Sequence, residues 1–296
     1  MVSERDELRH VAGEGLNWSE SYYFNFFDSL NNVAGFFRIG LEENKKQSNL
    51  WCFLMKDGKT IYNRFKLDLA YSEKGLEDLT VGDLRFKMLD PFKKFCIYFK
   101  DRHLTIDLTW QGYTEVFDMY EGMKELPAVL AAGHYDQMGE ATGRISMEGE
   151  EVNIFGYGFR DHSWGLRDWE GVKNWKAFIG QFKKDFAFMI AEFNEATGKT
   201  SYIGFLFDDG RNIKIVKADI KIDFYADHLT PKEATIEIEN IEGGRTKITA
   251  QSILVCPMPY DFNLLQEGYA RFQMGERIGY GLFELNRRLY GKHSTW

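Results

Sequence analysis

Proline is scarce in this chain, with five residues in 296, and no Pro/Gly/Ser-rich stretch separates one half from the other. Cysteine is scarcer still. Cys52, Cys96 and Cys256 are odd in number, widely spaced and set among apolar neighbours, which excludes a disulfide framework and a cysteine zinc site and implies reduced thiols. The six histidines show no ligand spacing, so no metal is expected. No apolar run approaches the ~20 residues needed to span a bilayer, and a mean hydropathy of −0.40 agrees with that. The first residues, Met1 to Glu7, are acidic and carry no apolar signal core, so the reading is a cytosolic protein. Basic charge is also short: the net charge is −8, which disfavours nucleic acid and anionic membranes as main partners.

What the chain has in excess is aromatic surface. Phe, Trp and Tyr make up 16% of the residues, a content that favours β architecture or a sizeable apolar cavity. From Tyr22 onward, short apolar runs cut by Gly, Asn and Asp read as strands. The clearest is Leu104 to Trp110, where strict alternation predicts one wet face. Phe186 to Phe193 is apolar on both faces except for Glu192 and predicts a strand buried between layers. Only a turn of helix near Glu4 to Val11 and a short helix over Leu126 to Ala132 interrupt the pattern.

The length suits two domains, and an internal repeat supports them. Cys52 to Ile61 matches Gly204 to Ile213 in register, with Phe, Leu, Asp, Gly, a basic residue and Ile shared; Gly58 and Gly210 lie 152 residues apart. Without a gap, the same offset sets Phe26 against Phe178, Phe36 against Phe188 and Leu41 against Phe193. Each copy carries Asp-Gly, a strong hairpin signal. The fold class is therefore all-β, as two antiparallel β-barrels or sandwiches over residues 1–150 and 151–296. Barrels of this size can enclose one small apolar ligand.

Between the halves lies Phe155 to Trp169, with four charges, a histidine, two tryptophans and three glycines. Strand parity puts Phe155, Tyr157, Phe159 and Asp161 on one face and Gly156, Gly158, Arg160 and His162 on the other. The aromatic face is expected to be the buried one. There, desolvation would raise the pKa of Asp161 and suit it to act as an acid. The competing reading is a structural corner, with Asp161 capping a turn and Arg160, Arg167 and Asp168 forming ion pairs. His134 and Gln137 add polar groups near the same seam, either as a second pocket wall or as satisfied core residues. Glu284, in a predicted last strand, shares a face with Leu282 and would need a partner.

Gly158-Phe159-Arg160-Asp161-His162-Ser163-Trp164-Gly165 resembles the Gly-x-x-Asp-His-x-Trp-Gly signature of proteins similar to carotenoid hydratase (hydroxyneurosporene synthase). Those belong to a wider group of tandem lipocalin-like proteins that includes the AttH-like family. Arg160 to Trp169 is similar to an uncharacterised branch of it, while Ser163 stands where the carotenoid enzymes commonly have Asn. The resemblance implies two tandem lipocalin-like barrels, an apolar substrate such as an isoprenoid, and chemistry without a redox cofactor.

The expected function is thus a cofactor-independent hydratase, dehydratase, isomerase or cyclase acting by acid–base chemistry on a terpenoid-like or polycyclic molecule. In it Asp161 protonates the alkene or leaving hydroxyl and His162 orients it. Tyr157, Trp164 and Trp169 offer ring faces to developing positive charge, and Phe159, His134 and Gln137 complete a mostly apolar pocket with one polar end. Asp161 and His162 can share that pocket only if the chain turns between them. A reading from a different class is a carrier or sensor of a lipid-like molecule, which the same aromatic content would serve.

Overall fold

A computed structural model describes residues 2–120, 132–167, 171–260 and 263–289. The chain divides into two compact units, the first ending at Arg167. Its strands are β1 (Trp18–Asp28), β2 (Val33–Glu42), β3 (Gln47–Lys56), β4 (Lys59–Ala70), β5 (Leu79–Val81), β6 (Leu84–Asp90), β7 (Lys94–Lys100), β8 (Leu104–Gly112), β9 (Phe117–Asp118), β10 (Gly133–Met147) and β11 (Glu150–Leu166). They pair in the order β4-β3-β2-β1-β11-β10-β8-β7-β6-β5, with β9 on β10. The second unit is a closed barrel of β12 (Val172–Gln181), β13 (Phe186–Glu195), β14 (Thr200–Asp208), β15 (Arg211–Phe224), β16 (Pro231–Asn240), β17 (Arg245–Tyr260), β18 (Asn263–Met274) and β19 (Arg277–Arg288). Each β unit is antiparallel throughout, the lipocalin-like tandem that the motif implies. Among the described residues no helix is long and apolar enough to cross a membrane. Among the described residues helix is confined to short 3₁₀ turns, one of them at Glu4–Glu7.

The strand patterns explain the burial. In β8 the alternation puts Leu104, Ile106, Leu108 and Trp110 into the core and leaves the other face wet. All of β13 from Phe186 to Phe193 is buried, and Glu192 is neutralised by Lys176 at 2.6 Å. The three cysteines are free thiols. The helix expected over Leu126 to Ala132 falls on residues outside the described ones, apart from Ala132.

The repeat is real at its hairpins and looser elsewhere. Lys56 pairs with Lys59 and Asp208 with Arg211, and both Asp-Gly turns have positive φ at each position: 51° and 70° at Asp57-Gly58, 48° and 83° at Asp209-Gly210. That is the geometry of a two-residue type I′ turn. Away from the turn the register drifts. Phe26 faces Gly35, but Phe178 faces Ile190, where a constant offset of 152 would require Ala187.

The boundary near residue 150 needs correction, as does the place of the motif. β11 makes its whole ladder with β1 and β10, so the motif is the last strand of the first unit and does not open the second. It sits between the chain's first long strand and its partner β10, a long-range insertion that hydrophobic periodicity does not reveal.

Gly158 shows how tight that insertion is. A Cβ added there would lie 1.9 Å from the Asn25 carbonyl oxygen and 3.0 Å from Trp110 Nε1. Gly158→Ala is expected to cost roughly 2 kcal/mol or more through overpacking. Gly210→Ala has open space around it and only its φ of 83° to pay, about 1–2 kcal/mol. Denaturant midpoints of the two variants check the order; a Gly158→Ala protein as stable as the parent would contradict it.

Candidate functional site

β11 remains extended through Leu166, so its side chains alternate without a break. Direct partners across the ladders share a face. Arg160 lies opposite Phe24 and Gln137, and His162 opposite Tyr22 and Tyr135; Asp161 lies opposite Tyr23 and Asp136. Asp161 and His162 therefore point to opposite sides of the sheet, and the shared pocket expected for them does not form. The expected burial of the aromatic face holds at Phe159, and burial does raise Asp161, but it fails at the start of the face. Phe155 is 52% exposed and Tyr157 partly so, whereas Arg160 and His162, on the glycine face, are 1% and 0% exposed. The polar residues face the core because the N-terminal segment brings charges to meet them.

That segment closes the inner side. Glu7, 0% exposed, places Oε1 2.5 Å from Arg160 Nη2 and Oε2 3.0 Å from Nη1, and Oε1 also accepts the Phe92 N–H at 2.9 Å. Arg160 Nε donates to Gln137 Oε1 at 2.8 Å, and Gln137 Nε2 donates to the carbonyls of Phe92 and Thr114. The guanidinium lies 4.4 Å from the Phe95 ring centroid, with Tyr135 and Trp110 also around it. Beside this pair runs a second chain of contacts. Tyr135 Oη and His162 Nδ1 are 3.0 Å apart, and His162 Nε2 and His10 Nδ1 each stand 2.9 Å from Glu20 Oε1. Tyr22 Oη donates to the same oxygen at 3.1 Å, and Trp164 stacks on His10 at 3.8 Å. Burial opposes the charge on Glu20, but the two imidazoles outweigh it and hold its carboxyl down at about 2. Burial pushes His162 below the ordinary imidazole value.

The outer face is different. Asp161 and Asp136 oppose each other on adjacent strands, and His134 Nε2 is 3.1 Å from Asp136 Oδ1. Asp136 is fully buried and its Oδ2 has no hydrogen-bond partner, nor does His134 Nδ1. Burial raises Asp136, and burial together with the neighbouring Asp136 charge pushes Asp161 up to about 6, against the opposing pull of His134, Arg38 and Arg167. Burial works against a charged His134, and the Asp136 carboxylate more than offsets it, so its pKa is raised. Arg167 Nη2 donates to Ser163 Oγ at 2.7 Å. Around this group lies a buried aromatic layer on the side of the sheet away from the core: Tyr23, Phe159, Phe36, Trp51 and Phe53. Phe36 stacks on Phe53 at 4.7 Å and meets Trp51 edge-on at 4.3 Å, and Tyr23 lies 6.3 Å from Phe159.

The residues singled out in the sequence thus fall into separate groups. Asp161, His134, Phe159, Tyr157 and Arg167 share the outer face; His162, Gln137, Arg160 and Trp164 belong to the inner one. Glu284 is in β19 of the second unit and accepts a hydrogen bond from Trp175 Nε1. Trp169 and Asp168 lie outside the described residues. Asp136 was missed, although His134-x-Asp136 on a strand puts both side chains on one face. Glu7, His10 and Glu20 were missed because a polar N-terminal stretch carries no periodic signal.

The inner ion pair makes a direct prediction. Glu7→Ala leaves a buried, unpaired guanidinium and is expected to cost about 3–5 kcal/mol, whereas Glu7→Ala combined with Arg160→Met should recover much of that loss. Chemical denaturation of the single and double variants decides it; strictly additive losses would contradict the pairing.

Comparison with known proteins fits this architecture. The profile of the family described as Domain of unknown function (DUF7064) matches residues 3–289. No curated protein sequence matches. Similar solved structures include an AttH-like protein of Nitrosomonas europaea, with 13% identity, TM-score 0.66 and coverage of 93% of this chain and 94% of the other. CghA shares 10% identity over 91% and 87% of the chains with TM-score 0.66. Kievitone hydratase from Nectria haematococca shares 12% over 90% and 88% with TM-score 0.67. At these identities the likeness establishes the fold.

Proposed function

The chain belongs to the DUF7064 family, and we propose that it is a cofactor-independent acid–base enzyme of the hydratase, dehydratase or cyclase type acting on a largely hydrocarbon substrate. The observation that carries this reading is the opposed pair Asp161–Asp136 with His134 on the latter, set against the aromatic layer on the outer face. Burial and the opposing Asp136 charge push Asp161 up to about 6, which suits it to exchanging a proton near neutral pH. Among the described residues no side chain holds Asp161 in an ion pair or hydrogen bond that would spend it on structure, whereas Arg160 and His162 are spent in that way. A fold shared with a protein named as a hydratase supports the reaction class by analogy alone.

In the hydration direction, protonated Asp161 gives its proton to one alkene carbon. The π pair forms the new C–H bond and leaves a cation on the other carbon, which faces such as those of Tyr23 and Phe159 stabilise by ~0.5–2 kcal/mol. Water attacks that carbon, the C–O bond forms, and the oxonium proton passes to the Asp161–Asp136 pair, restoring the acid. Dehydration is the reverse. In a cyclase, a second double bond supplies the electron pair in place of water. No electron is gained or lost overall.

Organic extraction of the freshly purified protein, read by mass spectrometry, identifies the ligand, and turnover in ¹⁸O-water then reports whether oxygen enters or leaves it. Asp161→Asn is expected to lower the rate about 10²–10⁴-fold while remaining folded, with Asp136→Asn also impaired. A folded Asp161→Asn protein with full activity would remove the acid assignment. Recovery of a hydrocarbon-rich ligand that is bound but never converted would favour the carrier reading.

A further inference from the structure

His10, Glu20 and His162 each bring one potential ligand atom within 4.8 Å of the others. The chain separations, ten residues and 142, hide this group from any spacing rule. Its members come from three places: the segment ahead of β1, β1 itself and β11. We infer that they form a buried binding site for a divalent cation of the zinc class, with two imidazole nitrogens and one carboxylate oxygen as ligands.

The hydrogen-bond accounting leads there. Glu20 Oε1 faces His10 Nδ1 and His162 Nε2, each at 2.9 Å, with Tyr22 Oη 3.1 Å from the same oxygen. The remaining ring nitrogens also face oxygen atoms. His10 Nε2 is buried and stands 3.5 Å from Asp6 Oδ1. His162 Nδ1 meets Tyr135 Oη at 3.0 Å, and that hydroxyl is itself turned toward the Asp6 carbonyl at 3.4 Å. Imidazoles that donate outward to those oxygens present their lone pairs inward, toward a carboxylate. Neutral rings instead donate to Glu20, with His162 Nδ1 accepting from the Tyr135 hydroxyl; once the ring protons point outward, the two inward nitrogens and the carboxylate oxygen offer three ligand atoms to one cation. Metal-bound histidines characteristically donate their second N–H to a carboxylate or another oxygen, as Asp6 and Tyr135 are placed to accept here.

The dimensions also suit zinc. Ligands at about 2.0–2.2 Å in a tetrahedron lie about 3.3 Å apart, so the observed nitrogen–oxygen separations need to open by less than about half an ångström. A water or the Tyr22 phenol takes the fourth position. The site ties the N-terminal segment to β1 and β11, on the side of the sheet opposite Asp161, which makes its role structural. It is independent of the reaction proposed above.

The test uses the full chain, expressed without a histidine tag. We expect one zinc ion per chain to survive dialysis, as measured by elemental analysis, and thermal unfolding to shift upward on adding Zn²⁺ to chelator-treated protein. Replacement with Co²⁺ should give the intense visible bands of a tetrahedral site. Glu20→Gln and His10→Gln should lose the metal and the bands, and Glu284→Gln, in the second unit, should keep both. Folded wild-type protein that neither retains zinc nor develops cobalt bands would overturn the site in favour of a proton-filled network. Full retention in Glu20→Gln would overturn it too. Should the variants not fold, the wild-type stoichiometry and cobalt spectrum decide alone.

Discussion

Side-chain parity along β11 is the constraint on which the rest of the first unit depends. The strand is flanked by β1 and β10 on its two edges, so it has no freedom to twist one residue toward the other face. A slip of one position would exchange every side chain between faces. Arg160 would leave its carboxylate and Asp161 would enter the core. Both outcomes carry a large desolvation cost.

The inner face shows what a sheet must do to hold an arginine and a histidine at its centre. A lone buried guanidinium is untenable, and the chain answers with the segment ahead of β1, which lowers Glu7 onto Arg160 and His10 onto Glu20. Aromatic rings then enclose the cation, and Gln137 accepts from its Nε. Buried pairs of this kind contribute little net stability compared with apolar packing, but they make alternative registers expensive. Here the pair fixes the depth of the N-terminal segment and the register of β11 together.

The outer face is built differently. Asp161 lies directly opposite another acid, Asp136, an arrangement that costs stability and that His134, Arg38 and Arg167 partly offset. The even-numbered members of the motif build the unit, and its odd-numbered members place Asp161 and aromatic rings on the other face. The fold shared with the AttH-like protein, CghA and kievitone hydratase leaves open which chemistry a given member performs, because function resides in such site residues and not in the scaffold.

The all-β class, the duplicated Asp-Gly hairpins, the wet face of β8 and the doubly buried β13 were all legible, since they depend on period-2 patterning and local turn chemistry. The importance of Phe155 to Trp169 was legible from its composition, and parity even separated Asp161 from His162. Which face was the core was not legible, because an aromatic stripe reads as buried and an arginine-bearing one as wet. That judgement fails when a partner for the arginine arrives from 153 residues away. The same holds for the boundary at Arg167, for the Asp136–Asp161 opposition and for the His10–Glu20–His162 group. The sequence by itself determined the strands and their two-faced character, because those are properties of neighbouring residues. Which strands became neighbours, and therefore which charges met, was decided only by the tertiary structure, because ladder pairing and ion-pair burial act between segments with no sequence relation to one another.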